Sequence, residues 1–216
     1  MRLHDKLEGL RVLAPDVIVV PECACPEVLL RRAPGLAASA MLWTGRSPAK
    51  GLAILSFGGW RVAADPAHDP RGGTTIAARV HGRVEIRLAA TWARADAAEP
   101  LPRALDRLRG FLEAGPSAVA GDFNDTLARG LAPRMAALGF RSAYHTARRL
   151  GLGSEDEPTL YWRRREGLRG HRDVVFLDAQ LVGALKEVTV GSRNAWGRAS
   201  DHAPIVAELD TDRLVT

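Results

Sequence analysis

Residues 15–22 read PDVIVVPE, a continuous β-branched run from Val17 to Val20 that leads into a carboxylate, Glu22. An apolar run of this length without alternation is what a strand buried on both faces requires, so it predicts a strand over 16–20 with Glu22 just past its end. Three further patches follow in order: GDFN at 121–124 with Asp122 and Asn124, HRDVVF at 171–176 with Asp173, and SDHAPI at 200–205 with Asp201 and His202. Each lies at or beside the end of an apolar run. A sheet could therefore bring all four patches to one rim, where their oxygens would suit a hard divalent cation.

Outward from that strand, the periodicity predicts a layered α/β protein. Leu3, Leu7 and Leu10 recur at helical spacing before Pro15, which predicts an opening helix. Strands are expected near 38–43, 51–57, 59–64, 73–80 and 83–91, divided by Gly, Pro and Asp clusters. Leu101, Ala104, Leu105, Leu108 and Leu112 form one stripe, so a single amphipathic helix is expected from Leu101 to Ala114, stopped by Gly115 and Pro116. SAVA then feeds GDFN, a helix is expected near 131–138, and strands near 158–163, 172–178, 186–190 and 203–208. Two sheets face to face with helices outside would bury these runs. No repeat or linker divides the chain, so one domain over 1–216 is expected.

Composition bounds the function. With 216 residues, 46% of them hydrophobic, the chain can bury a sizeable core. It has no apolar stretch of the roughly 20 residues that a membrane span needs, and MRLHDKLEGL lacks the apolar centre of a signal peptide; a soluble, cytoplasmic protein is expected. Cys23 and Cys25 offer half a zinc site at most. The net charge of +5 suits a polyanion such as nucleic acid, although abundant Arg, Ala and Gly throughout give a general compositional bias an equal claim. Nothing in the pattern selects an oligomeric state.

The chemistry follows from the residue types. Hydrolysis of a phosphodiester brings hydroxide to an anion and leaves charge on the departing oxygen, and Mg²⁺ or Mn²⁺ relieves both. Such an ion keeps most of its waters and needs only one or two carboxylates; Glu22 is the first choice. Asp122 and Asn124 alternate along an extended segment and so share a side, where Asp122 could activate water and Asn124 could donate to a phosphate oxygen or bind the metal. Asp125 is expected to cap the following helix. His202 needs a carboxylate behind it to fix its tautomer, and Asp173 is the candidate. Arg163 and Arg165, with Tyr161 and Trp162, form a cationic, aromatic stretch that could track phosphates; Trp196 could wall the site or pack beneath it.

Together PDVIVVPE, GDFN, HRDVVF and SDHAPI resemble the endonuclease/exonuclease/phosphatase superfamily over nearly the whole chain. The resemblance implies a DNase I-like, four-layered α+β sandwich of two mixed β-sheets flanked by helices. It implies a Mg²⁺- or Mn²⁺-dependent phosphoester hydrolase, with a nuclease acting on DNA as the leading expectation. Glu22 would bind metal, with Asp201 as a further metal or substrate contact; Asp122, Asn124, Asp173 and His202 would be catalytic, and Arg163, Arg165 and Trp196 would bind substrate. A phosphatase or phosphodiesterase on a small or lipid-like phosphoester, and a non-catalytic binder of the same fold, are the alternatives.

Two features depart from the family pattern. Members open with a strand carrying an Asn in a W-N-x-N-like run, whereas this sequence opens in a helix, so a start downstream of the true one, or loss of part of the site, is expected. At LAATWARAD (88–96), where members place a His or Tyr, this chain has Trp92, which can neither accept nor release a proton at neutral pH.

Overall fold

In a computed structural model that describes residues 3–69, 73–124, 130–162 and 169–215, the run at 15–22 forms β1, Val17–Cys23, which continues past the expected end at Val20 and takes in Glu22. Pro21 lacks an N–H, and the pairing with the next strand slips between Val20 and Cys23. A Pro is tolerated at such a bulge. Glu22 sits inside it with φ 59, a left-handed conformation that costs a residue with a Cβ about 1 kcal/mol. The metal-ligand candidate is thus set by a defect in a strand rather than by the loop after it.

A three-stranded antiparallel sheet is built from β1, β2 (Ala40–Ser47) and β3 (Lys50–Ser56), in the order β1-β3-β2. The second sheet takes β4 (Arg61–Ala64), β5 (Thr75–His81), β6 (Glu85–Trp92), β7 (Ser117–Asp122), β8 (Arg141–Ser142) and, after the short hairpin β9 (Leu160–Tyr161) and β10 (Arg169–Gly170), β11 (Asp173–Leu177). Its order is β4-β5-β6-β7-β11-β8, and only β6 and β7 run parallel. A parallel pair needs a crossover, which α3 (Leu101–Arg107) and α4 (Arg109–Glu113) supply. Finally β12 (Leu185–Val190) and β13 (Ile205–Leu209) pair with each other. The other helices are α1 (Leu7–Leu13), α2 (Pro26–Arg32), α5 (Ala132–Ala137), α6 (Ala143–Arg148), α7 (Ala179–Gly183) and α8 (Arg193–Trp196).

Side chains alternate along a strand, and that alternation sorts the core into three zones. Leu52 and Ile54 of β3 meet Ile76, Ala78, Leu88 and Ala90 of the larger sheet, with Val17, Val19, Ile205 and Ala207 packed alongside. Ala53 and Leu55 point the other way, into a cluster with Leu3 and Leu29 beneath the first two helices. On the outer face of the larger sheet, Ala77, Ala89 and Val119 take up Leu101, Leu105, Leu108 and Phe111. Helices, sheet, sheet and helices make the expected four-layered arrangement. Each fully buried Leu or Ile contributes roughly 1.5–3 kcal/mol.

The differences in detail have local causes. The expected helix over 101–114 breaks at Leu108, at φ −86 and ψ 0, two residues before Gly110, the weakest helix former past the first turn of the segment. The expected strand 158–163 shortens to β9, with residue 163 outside the described residues. The short helices α2, α6, α7 and α8 were not legible, because none repeats its apolar positions often enough to show a period. Gly121 at φ 143 is the one glycine in this frame whose missing side chain the site requires: a Cβ there would run into the Thr91 carbonyl oxygen, so only glycine lets β7 approach β6 immediately before Asp122.

Candidate active site

Sheet register assembles the centre of the site. Asp122 is paired in the β6–β7 ladder with Trp92 and in the β7–β11 ladder with Asp173, so residues 92, 122 and 173 lie side by side across three strands. Asp122 is 5% exposed. Its Oδ1 accepts from the Asn124 backbone N–H at 2.8 Å and its Oδ2 from Asn124 Nδ2 at 3.0 Å. Asn124 Nδ2 also donates to the Ala93 carbonyl at 2.8 Å. Both of its amide hydrogens are thereby engaged, and since both partners are acceptors the orientation of the amide is fixed. Asn124 at φ 47 curls the chain back over its own neighbour. In this arrangement it clasps Asp122 rather than offering an N–H to a phosphate.

The second half of the site is His202, whose Nδ1 lies 2.8 Å from Asp173 Oδ2. That bond places a proton on Nδ1, where the carboxylate accepts it. Thr159 splints the pair together: its Oγ1 accepts from the backbone N–H of Arg172 and of Asp173, and its carbonyl accepts from Ala203. Leu160 bridges to His202, Tyr161 N–H donates to the Asp201 carbonyl at 2.7 Å, and Ser200 Oγ accepts from His202 N–H at 3.0 Å. Thr159 carries no signature that a sequence could reveal; only its place between two ladders gives it this role. Arg172 donates to the Asn124 carbonyl at 3.2 Å, closing the rim between the two halves.

Packing acidic groups together shapes their proton affinity. Burial, with Asp173 and then Glu22 as like charges, pushes the Asp122 carboxyl up to about 7 against the opposing pull of His202 and the Asn124 N–H. For His202 burial acts downward, but the hydrogen bond and charge of Asp173, aided by Asp122 and Asp201, carry it up to about 9. Lys6, in the turn before α1, is lowered by burial although Asp173, Asp201 and Glu22 all favour its charge. Glu22, Asp122, Asp173, Asp201, His202 and Lys6 therefore share one electrostatic neighbourhood. Register and hydrogen bonding join three of the four sequence patches, and Glu22 lies within electrostatic reach of Asp122.

Among the described residues, no three His, Cys, Asp or Glu side chains converge into a nest for a metal. The donor set still fits a hard, hydrated dication, which needs only one or two carboxylates: Glu22 is half-exposed at the bulge, and the surplus of negative charge that raises Asp122 is what such an ion would offset. Lys50 Nζ stands 2.7 Å from Glu22 Oε1.

Other expectations change. Trp196, expected to wall the substrate, is 7% exposed and packed so closely on Gly9 and Gly191 that a Cβ at either would strike its ring; it is core. Trp92 is 4% exposed: it belongs to the core between the sheets, and the charged ends of Lys50 and Arg94 lie 5.4 Å and 4.6 Å from its ring centre. It packs in the core and seats cations. Arg163, Arg165 and Asp125 lie outside the described residues. Trp162, beside β9, is exposed.

Behind the dyad, His171 gives a pH signature. Its Nδ1 donates to the Glu157 carbonyl at 2.9 Å, its ring leans on Tyr144 at 4.5 Å, and its Nε2 is buried with no hydrogen-bond partner. Burial lowers its proton affinity below the ordinary histidine value of 6.5, outweighing the opposing influence of Glu157 and Glu155. The folded state thus favours neutral His171, so its contribution to stability is complete above 6.5 and is lost as pH falls, when the unfolded chain takes up the proton first. Urea midpoints measured at pH 7.5 and pH 5 should fall less in a His171→Phe variant than in the parent; an equal fall would show that His171 is not responsible.

No protein-family model and no curated protein matches this sequence. Solved structures do. NExo from Neisseria, a 3′ phosphatase bound to a product DNA hairpin, superposes with a TM-score of 0.71 at 21% identity over 97% of this chain and 96% of its own; a second structure, from Neisseria meningitidis, is described as a 3′-5′ exonuclease. The endonuclease domain of TRAS1, a telomere-specific non-LTR retrotransposon, gives 0.70 at 15% identity over 97% and 95%. An AP endonuclease from Archaeoglobus fulgidus gives 0.69 at 20% identity over 96% and 94%. In fold, the chain is similar to each of these solved structures over nearly its whole length.

Proposed function

We propose that this chain is a divalent-metal-dependent hydrolase of phosphodiester bonds in DNA. The observation that carries the reading is the pairing of the Asp122–Asn124 clasp with the Asp173–His202 dyad at opposed positions of one ladder. Asp122, oriented through both carboxylate oxygens, takes the proton of the attacking water. His202, charged at neutral pH by its carboxylate neighbours, offers Nε2–H to a non-bridging phosphate oxygen, where a fixed donor counts most as charge develops. Asp173 holds the ring. Glu22, with Asp201 as a further contact, would hold Mg²⁺ or Mn²⁺, and such an ion supplies polarisation of the phosphoester and neutralisation of the leaving oxygen. Arg172 and the net charge of +5 favour a polyanion.

The likeness to NExo supports a second, narrower reading, removal of a 3′-phosphate from DNA. One assay separates the two: a labelled duplex with either a 3′-hydroxyl or a 3′-phosphate end, incubated with Mg²⁺ and with EDTA. Shortened strands from both substrates support phosphodiester cleavage. Loss of the terminal phosphate alone selects the phosphatase, and turnover undiminished by EDTA removes the metal from the proposal.

A further inference from the structure

Of the 30 Lys and Arg residues in this chain, only Lys6, Lys50 and Lys186 are lysines. Two of those three come to one group of carboxylates. Lys50 Nζ is 2.7 Å from Glu22 Oε1, and Lys6 faces Asp173, Asp201 and Glu22 from the turn before α1. In a sequence that otherwise uses arginine, this placement has a chemical meaning. Guanidinium is a flat fork suited to lasting two-point pairing, whereas an ammonium is a compact, strongly hydrated point charge on a flexible stem. Of the two cations it is the closer substitute for a small metal ion.

The surroundings of Lys50 fix its backbone and free its end. It opens β3 opposite Ser47, at the tip of the hairpin with β2. The Pro48 carbonyl in that tip accepts from Cys25 N–H at 2.9 Å, tying the hairpin to the segment that follows Glu22. The Lys50 and Glu22 side chains remain 52% and 42% exposed, so their pairing is of the weak, exchangeable kind. The Trp92 ring, 5.4 Å from the ammonium, gives the charge a second resting place beside Asp122.

We propose that Lys50 is the internal counter-cation of Glu22: it holds the carboxylate while no divalent ion is bound and gives it up when one binds, so that lysine and metal compete for the same oxygen. The proposal rests on Glu22 being the metal ligand of the hydrolase reading. Its purpose follows from electrostatics. An empty cluster of Glu22, Asp122 and Asp173 repels itself, and a resident ammonium keeps Glu22 in place. The Trp92 face then retains the displaced charge at the mouth, where an arriving phosphate needs cations.

The test is Mn²⁺ binding by the full chain, read from the electron paramagnetic resonance signal of free Mn²⁺ at pH 7.5. An exposed ion pair weakens a competitor by no more than about fivefold, so Lys50→Met should bind Mn²⁺ about fivefold tighter than the parent. Lys50→Arg, which keeps the pair, should not bind tighter. Lys186→Met removes an equal charge where the lysine pairs with Glu208 and should leave affinity unchanged. Unchanged or weaker binding by Lys50→Met overturns the proposal, as does equal tightening in Lys186→Met, which would reduce the effect to net charge. Binding to the parent with no response to Lys50 leaves the hydrolase reading standing; no Mn²⁺ binding by any variant removes both.

Discussion

Replacing Asp122 by Ala should lower DNA cleavage by about 10⁴-fold, the upper range for loss of a positioned general base, while leaving the folded protein as stable as before. The two halves of this expectation share a cause. Asp122 is 5% exposed and lies against Asp173 in the ladder, and its carboxyl is pushed up to about 7 by burial and by like charge. A carboxyl so placed opposes folding when ionised, much as other functional groups hold a protein below its best stability. Ala removes that penalty and also the two hydrogen bonds from Asn124, each contributing about 1 kcal/mol, so the changes nearly cancel. Single-turnover cleavage of a labelled duplex and urea unfolding, run on the same preparation, check both halves. Activity within tenfold of the parent would show that the water is activated elsewhere.

His202→Ala and Asp173→Asn should each reduce cleavage by about 10³-fold, and the double substitution should add little to either. Asp173 reaches the reaction only through the imidazole: it accepts the Nδ1 proton at 2.8 Å and so decides which nitrogen faces the substrate. An Asn there removes the negative charge that keeps the ring protonated, so a neutral imidazole with its one proton on Nδ1 has no Nε2–H left to donate to the phosphate. Groups that act as one unit lose their effect together. Multiplying losses in the double variant would mean that Asp173 and His202 serve separate steps. Asp173→Asn also tests positioning apart from architecture, because the Thr159 hydrogen bonds to the backbone of residues 172 and 173 do not involve the substituted side chain.

How far these residues were legible depends on the range of the forces that place them. Val17–Val20, the apolar runs of β3, β5 and β6, and the apolar stripe of α3 and α4 declare themselves in order along the chain, since buried strands and helices show as apolar runs and periods. The four acidic patches were equally visible, because each abuts one of those runs. Their distribution was not: the patches expected on a single sheet fall on three, with Glu22 on β1 of the smaller sheet, Asp122 and Asp173 on neighbouring strands of the larger, and Asp201 and His202 just ahead of β13 in the third. Short helices such as α6 and α8 were hidden, being held by packing and by the side-chain caps Ser142 and Ser192 rather than by periodicity.

Roles that arise from contacts between distant segments could be found only in the folded chain. In the sequence Asn124 was a donor for phosphate; the fold turns both of its hydrogens inward to Asp122 and Ala93. Trp92 was a replacement for a proton donor and became a seat for Lys50 and Arg94, while Trp196 moved from the substrate wall into packing against Gly9 and Gly191. Lys50 itself stood out in nothing but its rarity.

The sequence by itself determined the layered α+β architecture and the set of acidic residues at its strand ends, because burial and pleating impose local periods that a linear pattern records. The tertiary structure alone decided how those residues divide the work. Hydrogen-bond direction, the bulge that turns Glu22, the register that sets Asp122 beside Asp173, and the reach of Lys50 from β3 to Glu22 on the neighbouring β1 are fixed by strand pairing between residues far apart in the chain, and such pairing leaves no period to read.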